Sequence, residues 1–250
     1  MAAASASRWQ SYHRITRTAT YGFVMALPLF VLYEGLLLLT SVGREGYVRV
    51  GADVWIKQLL GTFGVYGMQA LAALVLIAGI AVFWYERRRN IPLRARYFGW
   101  MIGESAAYAV VLALLVGGVV GFIFGLHVRP TLLAQVSQLP TGTLLILSIG
   151  AGLYEELFFR VLLVGGLYLG LRRLLQKPRW AYPIAAVVGA VIFSAVHYIG
   201  PLGDPFAPSS FTFRFLFGLA LNALFLWRGF AIAAWTHALY DVFVVTSLLG

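Results

Sequence analysis

Three short patterns in the sequence carry side chains of general acid, base or ligand type. They are Glu155-Glu156-Leu-Phe-Phe-Arg160, Phe193-Ser-Ala-Val-His197 and His237-Ala-Leu-Tyr-Asp241. Each interrupts a stretch that is otherwise apolar. A charged side chain at mid-bilayer costs about 2.5 to 3.5 kcal/mol on insertion scales, so such groups face a bundle interior and have partners or chemistry to perform. Glu34 and Glu104 complete the set of ionisable residues inside apolar runs.

Spacing decides which of these groups can cooperate. On an α-helix, residues four apart share a face and adjacent residues diverge by about 100°. Glu156 and Arg160 can therefore pair within their helix, while Glu155 turns towards neighbouring helices with no partner in its own. His237 and Asp241 share one face, and Phe193 lies one turn before His197. A buried ion pair that fixes helix packing would account for Glu156 and Arg160 alone. It does not account for Glu155, His197, His237 and Asp241, four groups of acid, base or ligand type drawn from three helices. Glu104 falls near the start of its helix, where a negative charge suits the dipole. Glu34 either lines the cavity or bonds another helix.

The elements that must position these residues are membrane spans. The chain has 250 residues, is 61% hydrophobic and 11% charged, and has a mean hydropathy of +0.85. Soluble domains are roughly half apolar and a quarter charged. Apolar runs long enough to cross the hydrocarbon core occur at about 20–42, 65–85, 98–126, 143–171, 181–199, 211–227 and 231–249, each close to the ~20 residues a spanning helix needs. The expectation is an all-α polytopic membrane protein of about seven transmembrane helices, forming a single membrane domain over 1–250. The first run is too long for a signal-peptide core and lacks a small-residue cleavage site after it, so it reads as a retained helix. Gly117, Gly121 and Gly125, at four-residue spacing, allow another helix close to the third run.

The net charge of +10 suggests a nucleic-acid surface until the basic residues are placed along the chain. Arg8, Arg14, Arg17, Arg87, Arg88, Arg89, Arg94, Arg96, Arg172, Arg173, Lys177, Arg179 and Arg228 fall on one side of the spans, and Arg44, Arg49, Lys57, Arg129 and Arg214 on the other. Lysine and arginine gather in cytoplasmic loops, which puts the N-terminus, with its basic segment 1–18, inside. The charge is drawn to anionic lipid headgroups, which argues against nucleic acid as a partner. At 1.5 Å per residue, Glu155, His237 and Asp241 fall in the middle or outer half of the bilayer, and His197 near its outer surface. One site opening outward could hold all four. The absence of cysteine excludes disulfides, thiolate metal sites and cysteine nucleophiles. Pro and Gly in 200–210 read as ordered turn chemistry.

Taken in order, Glu-Glu-x-x-x-Arg, Phe-x-x-x-His and His-x-x-x-Asp on successive hydrophobic helices resemble the CAAX prenyl endopeptidase and bacteriocin-processing family, called CPBP or Abi, of glutamic-type intramembrane proteases. The resemblance covers about residues 100–250. It implies that Glu155 is the general base that activates a water, that His197 helps hold that water, and that His237 and Asp241 stabilise the oxyanion. Glu156 and Arg160 resemble the partners that hold the helix and the base in place, and Phe193 belongs to the second motif. No metal and no cofactor are implied. The expected partners are membrane lipids and a membrane-anchored protein or peptide substrate, such as the C-terminal anchor of an exported protein. The expected location is a bacterial or archaeal plasma membrane.

The best-known prenyl-protein members have Asn where this chain has Asp241. An amide always offers N–H donors, whereas a carboxyl donates only when protonated. Asp241 is therefore either protonated or orients His237. A zinc protease is the other hydrolase that one Glu, two His and one Asp allow, but His-Glu-x-x-His is absent. A rhomboid-like Gly-x-Ser-Gly is absent as well. Outside enzymes, an immunity or scaffold protein remains. A proton-coupled carrier would show inverted repeats or paired broken helices, and neither is visible.

Overall fold

The computed structural model describes residues 2–41, 48–125, 139–200 and 203–246. Among these residues helix is the only regular secondary structure, and the protein is an all-helical polytopic membrane protein. Ten α-helices run in chain order: α1 Ala2–Thr16, α2 Ala19–Ser41, α3 Gly51–Gly61, α4 Gly67–Glu86, α5 Ala95–Phe124, α6 Thr141–Gly150, α7 Gly165–Leu174, α8 Ala181–Val196, α9 Pro208–Arg228 and α10 Phe230–Val245. A π-helical segment, Ala151–Val164, joins α6 to α7.

Each of the seven apolar runs corresponds to a helix or a composite rod. Five are long and apolar enough to cross a membrane: α2, α4, α5, α8 and α9. The fourth run is the continuous rod from α6 through the π-helix to α7. The seventh is α10, 16 residues long. At 1.5 Å per residue α10 extends about 24 Å, less than the ~30 Å hydrocarbon core. A shorter rod suffices because α10 lies inside the bundle, packed against α2, α5, α6, α9 and the π-helix. Its Ala231, Ala233, Ala234 and Ala238 are buried, and small side chains permit such close neighbours on several sides. The expected ends at Val42, Leu126 and Leu249, and the loop arginines Arg44 and Arg129, lie outside the described residues.

Two helices were not expected. Helix α1 packs against α2 and α5, and α3 packs against α4 and the π-helix, with Trp55 on Phe158 at 5.2 Å. Of the glycine triplet, Gly117 is buried within α5. Gly125 instead ends the helix, with φ 62°, its N–H donating to the Gly121 carbonyl. That is a left-handed cap, which glycine adopts without a Cβ penalty.

Glu104 departs from its expected role. It sits three turns into α5, too far from the helix N-terminus for the dipole to matter. Its carboxylate instead accepts from Arg228 Nη2 at 2.8 Å, Tyr108 at 3.0 Å and the Tyr12 hydroxyl, tying α1, α5 and the end of α9 together. Glu34 resolves in favour of bonding other elements. It accepts from both Arg49 (2.6 and 2.7 Å) and Tyr154 (2.8 Å), with Lys57 at 3.4 Å. Asp53 lies in the same cluster, accepting from Tyr33 and Arg49 and pairing by proximity with Lys57 at 2.7 Å. This buried network locks α2, α3 and the start of the π-helix.

Candidate active site

The first motif lies in the π-helix. Such i→i+5 geometry is rare and often marks functional sites. Its approach to α10 is set by Gly152. A Cβ there would fall 2.5 Å from the Ala234 carbonyl oxygen and from the Ala238 Cβ, and 2.6 Å from the Ala238 nitrogen. Only a glycine lets the two backbones meet at this level. The residues just beyond, Glu155 and Glu156, are thereby carried against the face of α10 that holds His237.

The His237 ring is the hub. Its Nδ1 lies 2.7 Å from Glu156 Oε1. Its Nε2 faces two further carboxylates, Asp241 Oδ2 at 3.6 Å and Glu155 Oε2 at 3.9 Å. A carboxylate only accepts, so Nδ1–H donates to Glu156. Neither distance on the Nε2 side is a direct hydrogen bond. That nitrogen is thus flanked by two carboxylates without being consumed by either. Burial divides the set in the same way: Glu156 and His237 are buried, whereas the side chains of Glu155 and Asp241 keep 16% and 21% of their exposure. The Glu155 and Asp241 side is the accessible one.

Glu156 also pairs with Arg160, as the spacing predicts, with Nε 3.0 Å from Oε2. The angles fall outside those of a hydrogen bond, so this is an ion pair by proximity. The Arg160 guanidinium is 1% exposed and stands 4.6 Å from the centre of the Phe193 ring, a cation–π contact that helps compensate for lost hydration. Phe193 is edge-on to His197 at 5.0 Å and to His237 at 6.0 Å. It separates the two imidazoles while connecting them through one packed surface.

His197 caps the C-terminus of α8, and its Nδ1 lies 2.7 Å from the Phe193 carbonyl oxygen. A carbonyl cannot donate, so Nδ1 carries the proton and Nε2 keeps its lone pair as an acceptor. The following turn folds back upon this residue. Asp204 N–H donates to the His197 carbonyl at 2.9 Å, and Arg214 of α9 binds Asp204 at 2.6 Å and the Tyr198 hydroxyl at 2.8 Å. The ordered turn was readable from its Pro and Gly content. The roles of Asp204 and Arg214 in it were not.

The π-helix and α10 therefore bring Glu155, Glu156, His237 and Asp241 together, and His197 joins them through Phe193. The sequence pattern missed the contact between Glu156 and His237. The available signal was Gly152 in one helix opposite Ala234 and Ala238 in another, a small-residue crossing immediately beside both motifs. Among the described residues, no three His, Asp or Glu side chains are grouped so as to hold a metal ion.

The site is thus a set of carboxylates and imidazoles gathered within a multi-pass helical bundle. Residues 137–243 match the family model described as type II CAAX prenyl endopeptidase Rce1-like. All three motifs fall inside that stretch, which spans 107 of the 250 residues, and the match agrees with the CPBP resemblance that the three motifs carry. Among curated proteins and among solved structures, nothing matches the chain.

Proposed function

We propose that the protein is a glutamic-type intramembrane endopeptidase that hydrolyses a peptide bond without a covalent intermediate. The observation that carries this reading is the placement of Glu155 and Asp241 beside an imidazole nitrogen that makes no hydrogen bond among the described residues. Glu155 takes a proton from a water held by the free Nε2 of His197, and the resulting hydroxide attacks the scissile carbonyl carbon. The carbonyl π pair moves onto oxygen, and His237 Nε2 donates to that oxyanion. With Nδ1 already donating to Glu156, Nε2 can donate only from the doubly protonated ring. The mechanism thus requires an imidazolium at His237 and an ionised carboxylate at Glu155. When the tetrahedral intermediate collapses, the C–N bond breaks and Glu155 returns its proton to the leaving amine. A base positioned in this way contributes typically 10²- to 10⁴-fold, and one oxyanion donor about 10²- to 10³-fold.

The substrate class that suits an outward-opening site is the membrane anchor of an exported protein or an exported peptide, rather than a cytoplasmic prenylated one. The deciding experiment compares membrane proteomes of cells carrying the wild type and Glu155→Ala. One class of unprocessed protein should accumulate in the variant. His197→Ala and His237→Ala should reproduce it while each protein still reaches the membrane, and cleavage by any of the three would overturn the assignment. Phenotypic rescue by Glu155→Gln would instead favour the scaffold reading.

A further inference from the structure

A groove of about 1000 Å³ opens on the side of the π-helix away from the cluster at His237. Its walls are α2, α4 and the π-helix, the last contributing Leu153, Leu157 and Val161. Its mouth lies at the end of the molecule where α1 meets α2, and carries Arg14, Arg17 and Arg89.

The dimensions and chemistry of the groove change along its length. It is lined from Ala19 to Phe30 on α2, a rise of about 17 Å at 1.5 Å per residue. That is close to half of the ~30 Å hydrocarbon core, the depth of one leaflet. The interior wall is aliphatic and aromatic. At Gly22, nothing lies within 4 Å of where a Cβ would stand, so the missing side chain holds the groove open. The mouth is cationic. The one carboxylate there, Glu86, is already engaged by the Ala19 and Thr20 backbone N–H groups at 3.2 and 2.8 Å and by the Thr20 hydroxyl. Among the described residues Arg17 donates to the neutral Leu226 carbonyl and to no carboxylate, and Arg89, 3.4 Å from Glu86, is 57% exposed. Three guanidiniums against one capped carboxylate leave the rim positive.

We infer that this groove is a binding site for an anionic glycerophospholipid, its phosphate at Arg14, Arg17 and Arg89 and its acyl chains along α2, α4 and the π-helix. Charge complementarity selects the headgroup, since each basic side chain near a membrane surface favours an anionic lipid. One-leaflet depth selects a lipid over a spanning peptide. The inference does not depend on the proposed catalysis, although the lipid would touch the helix that carries Glu155 and Glu156.

The test uses the full chain in vesicles of equal parts phosphatidylglycerol and phosphatidylcholine, extracted in mild detergent and weighed intact. The wild type should retain phosphatidylglycerol over phosphatidylcholine by about a hundredfold, given three rim arginines. Arg14→Gln/Arg17→Gln/Arg89→Gln should bring that ratio near unity. Gly22→Phe, which fills the groove, should lose both lipids. Arg88→Gln/Arg172→Gln/Arg173→Gln removes equal charge from exposed positions outside the groove and should retain the preference. A wild type without preference, a ratio unmoved by either groove variant, an equal loss in the control, or a co-purifying peptide in place of lipid would each overturn the site. If the triple variant does not accumulate, Arg89→Gln and Gly22→Phe alone decide the matter.

Discussion

Glu156 and His237, 81 residues apart, meet at 2.7 Å between Oε1 and Nδ1 in a region closed to solvent. The contact fixes which ring nitrogen faces Glu155 and Asp241, because the other is engaged. The same carboxylate faces Arg160, so one glutamate connects a guanidinium to an imidazole.

Removing either end of that chain should have different consequences. Glu156→Gln keeps the shape but offers Nδ1 an amide that can present its NH2 group instead of oxygen. Proteolytic turnover should fall by at least about tenfold with little loss of protein, and its pH profile should move. Arg160→Leu leaves a buried carboxylate without its cation, a change that typically costs about 3 to 5 kcal/mol. It should lower the melting temperature and the amount of protein in the membrane before it affects chemistry. Thermal melts and turnover measured together on both variants separate the two effects.

Asp241 presents a sharper alternative. If its carboxyl donates to the oxyanion or orients His237 as a carboxylate, the two roles depend oppositely on its protonation. Asp241→Asn supplies a permanent N–H donor. Turnover that is retained, with a flatter pH profile, would identify a donor. Loss of activity across the whole pH range would identify an essential carboxylate.

Gly152→Ala adds one methyl group at the crossing of the π-helix and α10. Its Cβ would overlap backbone atoms of α10 at 2.5 and 2.6 Å, which cannot rotate away. Overpacking of this kind costs about 1 to 3 kcal/mol. The separation of Glu155 and Glu156 from His237 should widen, so activity should fall far more than stability. Activity equal to wild type in Gly152→Ala would show that the close approach is not needed.

The orientation of the site can be read directly because the chain has no cysteine. Phe206, exposed on the turn after His197, and Arg88, exposed beyond α4, lie at opposite ends of the bundle by the distribution of basic residues. A membrane-impermeant maleimide should label Phe206→Cys in intact cells, and Arg88→Cys only after the membrane is opened. The reverse pattern would place the site on the cytoplasmic side.

The spans and the motifs were legible because hydropathy and i,i+4 spacing are local properties. The ends of α2, α4, α5, α8 and α9 follow from where the apolar runs stop. Contacts between distant helices leave little local trace. Arg228 reads as one more basic residue in a loop, yet it is fully buried against Glu104, 124 positions away. Helix α3 escaped notice because 11 residues with Asp53 and Lys57 among them do not make an apolar run. The charges are instead satisfied by Glu34 and Arg49. The pairing of Glu156 with Arg160 could be deduced, whereas its contact with His237 required knowing which helices cross at Gly152. The π-helix itself has no compositional signature that the residues Ala151–Val164 display.

Within that π-helix three consecutive side chains serve three different tasks on two partners, Glu34 and His237. Tyr154 reaches Glu34, Glu155 faces the open side of His237, and Glu156 holds the ring from behind. Length is therefore a constraint there as strict as residue identity. Deleting a single position between Glu156 and Arg160 would let the segment relax into an ordinary α-helix and swing everything after the gap by one step. Arg160 would then miss Glu156, and no compensating point substitution could restore the register. Variation among descendants of this sequence should accept replacements in Ala151–Val164 more readily than gaps.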